Sequence, residues 1–178
     1  MNFFRAIKLK IYQFKLKRNF YSKNKANKCL IAKSSVILGI QRVELGHNVE
    51  IQDYVIIKAL KNKISIGDYS QLNPFVVLYG GSGINIGKYV MIAPHCTIVA
   101  GNHDHIQTEI PMRMAGGLSK GKIIIKDDVW IGANSTILSG VTIEEGAVIS
   151  ANSVVNKSVE KFGIYGGIPA KKLGSRPK

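Results

Sequence analysis

Between Ile125 and Val155 the chain reads IKDDVWIGANSTILSGVTIEEGAVISANSVV. Counting from Ile125, every sixth residue is a large aliphatic residue. Counting from Val129, four residues farther along, every sixth residue is small or aliphatic. A helix would repeat every three or four residues and an ordinary strand every two, so neither explains this period. The period predicts a parallel β-helix, whose stacked coils bury a continuous apolar column. The predicted core residues are Ile125, Ile131, Ile137, Ile143, Ile149 and Val155, together with Val129, Ser135, Val141, Ala147, Ser153 and Val159.

The same period continues towards the N-terminus in shorter blocks, which are separated by slips in phase. One slip separates Ile37 from Leu45, and two others fall at Lys61–Lys63 and Gly80–Gly83, where a turn absorbs extra residues. Cys96 occupies a small inward position, so we predict that its thiol lies in the core. The large inward residues of these blocks are Leu45, Ile51, Ile57, Ile66, Leu72, Leu78, Ile86, Ile92 and Ile98.

Length and composition are those of a single globular domain. The chain has 178 residues, of which 46% are hydrophobic and 20% are charged. A chain of this length and composition can form a hydrophobic core of its own. No apolar run approaches the roughly 18 residues that a membrane-spanning helix needs. The two cysteines, Cys29 and Cys96, form no metal-binding pattern. Such sparse cysteine usage is typical of a reducing, cytoplasmic setting.

Positive charge is concentrated in the first 28 residues. The net charge at pH 7 is +14, and residues 1–28 contain nine lysines and arginines but no acidic residue. Apolar residues at helical spacing lie between these charges, which predicts a basic amphipathic helix. This helix either covers the open end of the first coil or lies on an anionic membrane surface. A nucleic-acid partner is not predicted, because no nucleic-acid-binding motif follows. The apolar residues are Phe3, Phe4, Ile7, Ile11 and Phe14.

The period of six fails over residues 100–122, inside a β-helix that we place at residues 29–163. This loop reads AGNHDHIQTEIPMRMAGGLSKGK and contains a proline, several glycines and charged residues at the positions that would face inward. A structureless excursion of about twenty residues from a compact repeat usually carries function. The loop also holds two of the four histidines, His103 and His105.

Three motifs together resemble a known family. The loop opens with G-N-H-D-H at residues 101–105, the repeat resumes with D-D-V-W-I-G at residues 127–132, and Y-G-G-I-P-A-K occupies residues 165–171 within the C-terminal tail, residues 164–178. This combination is similar to the hexapeptide-repeat acyltransferases, and most of all to the sugar O-acetyltransferases. The resemblance implies a left-handed parallel β-helix that forms a homotrimer with active sites between subunits. It also implies acetyl-CoA as co-substrate and no metal.

The resemblance implies that the first histidine of the loop, His103, is the catalytic base. A sugar hydroxyl is a poor nucleophile, and histidine is a natural general base because its ordinary pKa lies near working pH. His103 would take the hydroxyl proton while the oxygen attacks the thioester carbonyl, without a covalent acyl-enzyme. Two alternatives remain open, namely that His103 has no role or that His105 is the base. His47 and His95 are expected to be solvated, at turns or on outward faces.

The resemblance also implies residues that bind the two substrates. Backbone amides at Ala133 and Ala151 would contact the pantetheine arm of CoA. Asn73 matches an asparagine that the family places near the acceptor hydroxyls, although it also fits an ordinary outward turn residue. The residues implied for the CoA phosphates are Asn156, Lys157 and Lys171. At the position of Asn156 the family usually has threonine.

Two other function classes use the same kind of repeat. A γ-class carbonic anhydrase needs two loop histidines five residues apart, whereas His103 and His105 are two apart and would point to opposite faces of an extended chain. A non-catalytic scaffold docked on a membrane needs neither the loop nor the CoA motifs. Amino-sugar N-acetyltransferases and antibiotic acetyltransferases remain alternatives within the family.

The motifs and composition together lead to one prediction of function. We expect a cytoplasmic, acetyl-CoA-dependent O-acetyltransferase that needs no metal. Its acceptor would be a hydroxyl of a sugar, or of a lipid-linked or surface polysaccharide precursor. The basic N-terminal segment would hold the protein at the inner face of the plasma membrane.

Overall fold

One long helix precedes a parallel β-helix of about seven turns in the computed structural model, which describes residues 3–177 and the side chains of residues 14–177. The helix, α1, spans Phe3–Ala26, and a short 3₁₀ helix spans Ile40–Arg42. The fold class predicted from the period of six is confirmed, because the strands of successive coils pair in parallel on three faces.

The three faces are three sheets, which we call A, B and C, and the chain passes through them in that order in each coil. Sheet A contains β1 (Leu30–Ile31), β4 (Glu50–Ile51), β7 (Gln71–Leu72), β10 (Met91–Ile92), β15 (Trp130–Ile131), β18 (Val148–Ile149), β20 (Gly163–Gly167) and β21 (Ala170–Ser175). Sheet B contains β2 (Val36–Leu38), β5 (Ile56–Lys58), β8 (Val77–Tyr79), β11 (Thr97–Val99), β16 (Thr136–Leu138) and β19 (Val154–Val155). Sheet C contains β3 (Val43–Leu45), β6 (Ile64–Ile66), β9 (Ile84–Ile86), β14 (Ile123–Ile125) and β17 (Thr142–Ile143).

Both series of predicted core residues between Ile125 and Val159 are buried without exception. The small position accepts serine because the polar side chain is satisfied inside the coil. Ser135 Oγ donates a hydrogen bond to the carbonyl of Ser150 at 3.1 Å and accepts one from the amide of Ser153 at 3.3 Å. A buried hydroxyl with two partners avoids the desolvation penalty that an unpaired one would incur. Cys96 is also fully buried, as its position in the repeat predicts.

The slips in phase all fall at the corner between sheets B and C. Five residues join β5 to β6, whereas three join β16 to β17. Four residues join the strands at the A/B corner and at the C/A corner, both in the first coils and in the last coils of the β-helix. Coils near the N-terminus are therefore longer at one corner only. This B/C corner is also where the chain leaves the β-helix for the long loop, between β11 and β14.

Aromatic side chains stack along the corner between sheets A and B. The ring of Phe75 lies between those of Tyr54 and His95, with centroid distances of 5.0 and 4.8 Å. All three residues have φ near +60° because the turn needs a left-handed residue at this point. His47 and His95 are exposed, in agreement with the expectation that both are solvated.

The last turns of α1 cover the open end of the first coil. Phe20 packs against the core cluster, and Asn24 is 2% exposed. The carbonyl of Asn24 accepts the amide of Cys29, which fixes the entry into β1. The apolar residues predicted at positions 3 to 11 lie outside the residues whose side chains the structure describes, and Phe14 is exposed. Over the described part of the chain, no helix is both long and apolar enough to cross a membrane.

The C-terminal segment closes the other end of the β-helix. β20 pairs in parallel with β18 and continues sheet A, and β21 folds back antiparallel along β20. The C-terminal tail that we place at residues 164–178 contains most of both strands, and the sequence predicts neither strand. Their pairing satisfies backbone groups that the last coil would otherwise leave open.

Candidate active site

The long loop is not structureless, because its two ends pair with each other. β12 (Asn102–His103) and β13 (Gly117–Leu118) form a short antiparallel ladder in which His103 lies opposite Gly117. The backbone amide of His103 also donates to Oδ1 of Asn102 at 2.9 Å. Farther out, Asp104 Oδ1 accepts the amide of Ile106 at 2.9 Å, which forms a local turn. The ladder therefore places His103 at the base of the loop, next to the B/C corner.

A cleft of about 810 Å³ lies between the base of the loop and the turns of the B/C corner. His103 and Asn102 line it from the loop, and Tyr79 lines it from the end of β8. The loop is held over the corner by a hydrogen bond of 2.7 Å between Ser82 Oγ and Ser119 Oγ. Because His103 is exposed and lines the cleft, its imidazole is accessible from the cleft. His105 is exposed in the loop but does not line the cleft.

Three cationic side chains that no sequence motif marked also line this cleft. Two lie close together at the end of β5 and in the turn after it, and one comes from the long loop. The described residues that line the cleft include no aspartate or glutamate. The only sequence signal for them was the excess of basic residues around one phase slip and in the loop. The three residues are Lys58, Lys61 and Arg113.

The alanines implied for CoA lie at a different corner. Ala133 and Ala151 follow β15 and β18 at the A/B corner, where they occupy equivalent positions in successive coils. The amide of Asn152 donates to the carbonyl of Ala133 at 2.8 Å, so the two turns are directly linked. Ala133 is half-buried and Ala151 is exposed, and neither lines the cleft of His103.

Asn73 lies at the same A/B corner, at the end of β7. Its Nδ2 donates to the carbonyl of Ile92 at 2.9 Å, so much of this amide is used to link two coils. Asn73 does not line the cleft that contains His103. Within one chain, the predicted acceptor residue and the predicted base are therefore not brought together.

The residues implied for the CoA phosphates are spread over the C-terminal end. Asn156 and Lys157 follow β19 at the B/C corner, and Lys171 lies in β21, with all three side chains exposed. Lys172 is paired with Glu160 at 2.6 Å, and this hydrogen bond raises the pKa of Lys172. Lys171 has no carboxylate partner within 4 Å among residues 14–177.

Apart from Lys171, which lies in β21 of sheet A, the predicted residues thus divide between the two edges of sheet B. His103 lies on the edge that meets sheet C, whereas Ala133 and Ala151 lie on the edge that meets sheet A. A single chain does not form one continuous site from these groups.

The two cysteines are poorly suited to act as nucleophiles. Burial raises the pKa of Cys96, whose thiol donates to the carbonyl of Gly132 at 3.1 Å. Burial also raises the pKa of Cys29, beside the first coil. A thiolate is the reactive form, and both environments disfavour it. In the part of the chain that the structure describes, no three His, Cys, Asp or Glu residues come together as metal ligands.

Known proteins share both the repeat and the architecture. Residues 122–157 match the family model for bacterial transferase hexapeptide (six repeats). A variant of AntD, an N-acyltransferase from Bacillus cereus, was crystallised in complex with dTDP-4-amino-4,6-dideoxyglucose and coenzyme A. It is 32% identical to this chain, has a TM-score of 0.76, and the match covers 84% of this chain and 81% of AntD.

Two further relatives extend this comparison. A hexapeptide-repeat acetyltransferase from Vibrio cholerae O1 biovar eltor, complexed with acetyl coenzyme A, is 30% identical with a TM-score of 0.62, over 92% of this chain and 85% of its own. A putative lipopolysaccharide biosynthesis O-acetyl transferase from Escherichia coli K12 is 32% identical over 114 residues. The match covers 61% of this chain and 58% of that protein.

The stacked coils, the loop that interrupts them and these matches define a transferase built on hexapeptide repeats. The chain belongs to the bacterial hexapeptide transferase family, and its class within that family is that of the acyltransferases.

Proposed function

We propose that this protein transfers an acetyl group from acetyl-CoA to a hydroxyl of a sugar or of a glycan precursor. The observation that carries this proposal is the position of His103, which is exposed in a cleft at the base of the loop. A transferase of this class needs one accessible base beside its acceptor, and among the described residues His103 is the only histidine that lines the cleft.

The reaction is a direct transfer within a ternary complex. The neutral imidazole of His103 accepts the proton of the acceptor hydroxyl as that oxygen attacks the thioester carbonyl. The tetrahedral intermediate then collapses, the C–S bond breaks, and the proton passes from His103 to the departing thiolate of CoA. Proton transfer of this kind contributes about 10²–10⁴-fold to the rate. Neither Cys29 nor Cys96 is needed, because no acyl-enzyme forms.

The proposed site for acetyl-CoA is assigned from the positions of the predicted residues at the two corners of sheet B and at the C-terminal end. Backbone amides at Ala133 and Ala151 are assigned to the pantetheine arm, since both alanines leave space beside the backbone. The exposed side chains at the C-terminal end are assigned to the CoA phosphates, namely Asn156, Lys157 and Lys171. Asn73 is assigned to the acceptor, contributed by the neighbouring copy rather than by the chain that provides His103.

The outer face of sheet B supports a homotrimer. Its outward side chains are mainly aliphatic, whereas sheet C presents polar groups such as Glu44, Ser65 and Asn85. An apolar sheet face of this kind is normally covered by another copy of the chain. A trimer that buries sheet B brings the A/B corner of one copy to the B/C corner of the next. The outward aliphatic residues of sheet B are Val36, Leu38, Ile56, Val77, Val99, Leu138 and Val154.

An amino group is the second candidate for the accepting group, and the match to AntD favours it. AntD is an N-acyltransferase, and the similarity extends over 84% of this chain. A sugar amine attacks the same thioester and also loses a proton during transfer. The catalytic groups therefore fit both acceptors, and the difference lies in which atom the acceptor pocket presents.

A pair of matched acceptors tests the proposed function. Purified protein is supplied with acetyl-CoA and with sugars that carry either a hydroxyl or an amino group at one position. We expect thiol release that depends on the hydroxyl acceptor, and a product that hydroxylamine cleaves, because esters are cleaved and amides are not. A product formed only from the amine and resistant to hydroxylamine would replace O-transfer by N-transfer. Absence of thiol release with every acceptor would favour a non-catalytic scaffold.

We also propose that α1 holds the protein at the inner, anionic face of the cytoplasmic membrane. The exposed side chains of Lys15, Lys17 and Arg18 lie on the helix before the turns that cover the first coil. A lysine or arginine near an anionic bilayer contributes about 1 kcal/mol. The two roles of the helix are compatible, because Phe20 and Asn24 contact the core farther along it.

Vesicle flotation tests the membrane proposal. Replacing Lys15, Lys17 and Arg18 with glutamine should weaken binding to phosphatidylglycerol vesicles about a hundredfold, while Phe20 and Asn24 still cover the first coil. Replacing three exposed lysines outside the helix is the matched control and should leave flotation unchanged. Equal flotation of the helix variant and the wild-type protein would refute a role for this helix at the membrane.

A further inference from the structure

The cleft that contains His103 has an unusual charge. Lys58, Lys61 and Arg113 line it together with His103, and no carboxylate is among its described lining residues. Elsewhere on this corner a lysine is neutralised: Lys63 pairs with Glu44 at 2.5 Å. Within residues 14–177, none of the three cleft cations has a carboxylate within 4 Å. The positive charge of the cleft is therefore uncompensated by this part of the protein.

The three cations are placed by different elements and converge on one space. Lys58 ends β5 and lies directly opposite Tyr79 of β8, and its Nζ is 5.5 Å from the centre of the Tyr79 ring. Lys61 belongs to the enlarged B/C turn that follows β5. Arg113 comes from the far part of the loop. Folding thus gathers like charges that repel one another, and an anion that binds between them relieves this repulsion.

The residue types fit a phosphate better than a neutral sugar. Arginine binds phosphate oxygens through two parallel hydrogen bonds, and lysine binds them as a compact point charge. Tyr79 adds an aromatic face beside Lys58, on which the rest of a ligand can rest. A neutral free sugar would leave all three cations without a partner.

We infer that the acceptor reaches His103 as a phosphate-linked sugar, and that Lys58, Lys61 and Arg113 bind its phosphate or diphosphate. This inference rests on the proposed function, because it assigns the acceptor side of the same site. Two classes of acceptor contain a sugar attached to a diphosphate. In one class the diphosphate is also attached to a nucleoside, and in the other it is attached to a polyprenyl lipid.

Binding of inorganic pyrophosphate tests the anion site without catalysis. Titration calorimetry is performed with saturating CoA, so that the CoA phosphate site is already occupied. We expect that Lys58→Gln and Arg113→Gln each weaken pyrophosphate binding about tenfold or more, since each removes a charge-assisted hydrogen bond. Lys63→Gln, which removes a lysine already paired with Glu44, is the control and should bind as the wild type does. Equal affinity in all variants would overturn the anion site, whether or not thiol release is observed.

Acceptor kinetics then distinguish the two sources of diphosphate. A nucleoside-diphosphate sugar, a polyprenyl-diphosphate sugar in detergent and the free sugar are compared as acceptors. We expect one of the diphosphate-linked sugars to have a KM at least about tenfold below that of the free sugar, with this advantage lost in Lys58→Gln. The KM for acetyl-CoA should not change. Equal KM values for free and linked sugars would overturn the inference while leaving the transferase intact.

Discussion

Replacing His103 with alanine is expected to lower kcat by about 10²–10⁴-fold, which is the usual contribution of a general base. The residue is exposed and lines the cleft, so its replacement removes the proposed proton acceptor without opening a cavity in the core. The KM for acetyl-CoA should change little, because His103 is not among the residues assigned to CoA. Initial rates of thiol release, measured with the best acceptor at saturation, give the comparison.

His105→Ala is the matched control for this substitution. His105 is an exposed histidine two residues along the same loop, and it does not line the cleft. We expect it to keep a rate within a few-fold of wild type. Circular dichroism and sedimentation should show that both variants fold and assemble like the wild type. A rate that survives in His103→Ala and is lost in His105→Ala would transfer the role of base to His105.

The core was predictable because the sequence repeats it. One physical requirement, a side chain that fills the interior of a coil, recurs every six residues, and each repetition strengthens the prediction. Ser135 and Ser153 fitted the series even though they are polar, because size rather than polarity limits that position. The structure adds how their hydroxyls are satisfied, namely by carbonyl and amide groups of the adjoining turns.

The site was predictable only where a motif marked it. His103 stands in G-N-H-D-H, and its place at the base of the loop depends on pairing with Gly117, fourteen residues later. No local pattern announces that pairing or the position of Arg113. Lys58 and Lys61 look like ordinary surface lysines in the sequence. Their shared position becomes evident only in the structure, where the enlarged corner and the loop place them in one cleft.

The separation of His103 from the CoA alanines leads to the second large effect. His103→Ala and Ala151→Trp are each expected to be nearly inactive. The first lacks the proposed base, and the second has a bulky ring on the proposed path of the pantetheine arm. Ala151 is exposed at a corner, so the tryptophan side chain can extend outward without disturbing the core. Co-expression of the two variants should restore activity, because in the proposed trimer a site takes His103 from one copy and Ala151 from its neighbour.

The size of the recovery follows from symmetry. In a trimer that assembles at random from equal amounts of both variants, a site is intact when an Ala151→Trp chain provides His103 and a His103→Ala chain provides Ala151. Each condition holds for half of the chains, so about a quarter of all sites are intact. Tandem purification with two different tags isolates the mixed trimers. In these trimers about a third of the sites are intact. Thiol release by the mixed trimers is therefore expected to be about a third of the wild-type rate. If His103 and Ala151 instead served one site within each chain, every site in the mixture would lack one of them and activity would stay at background.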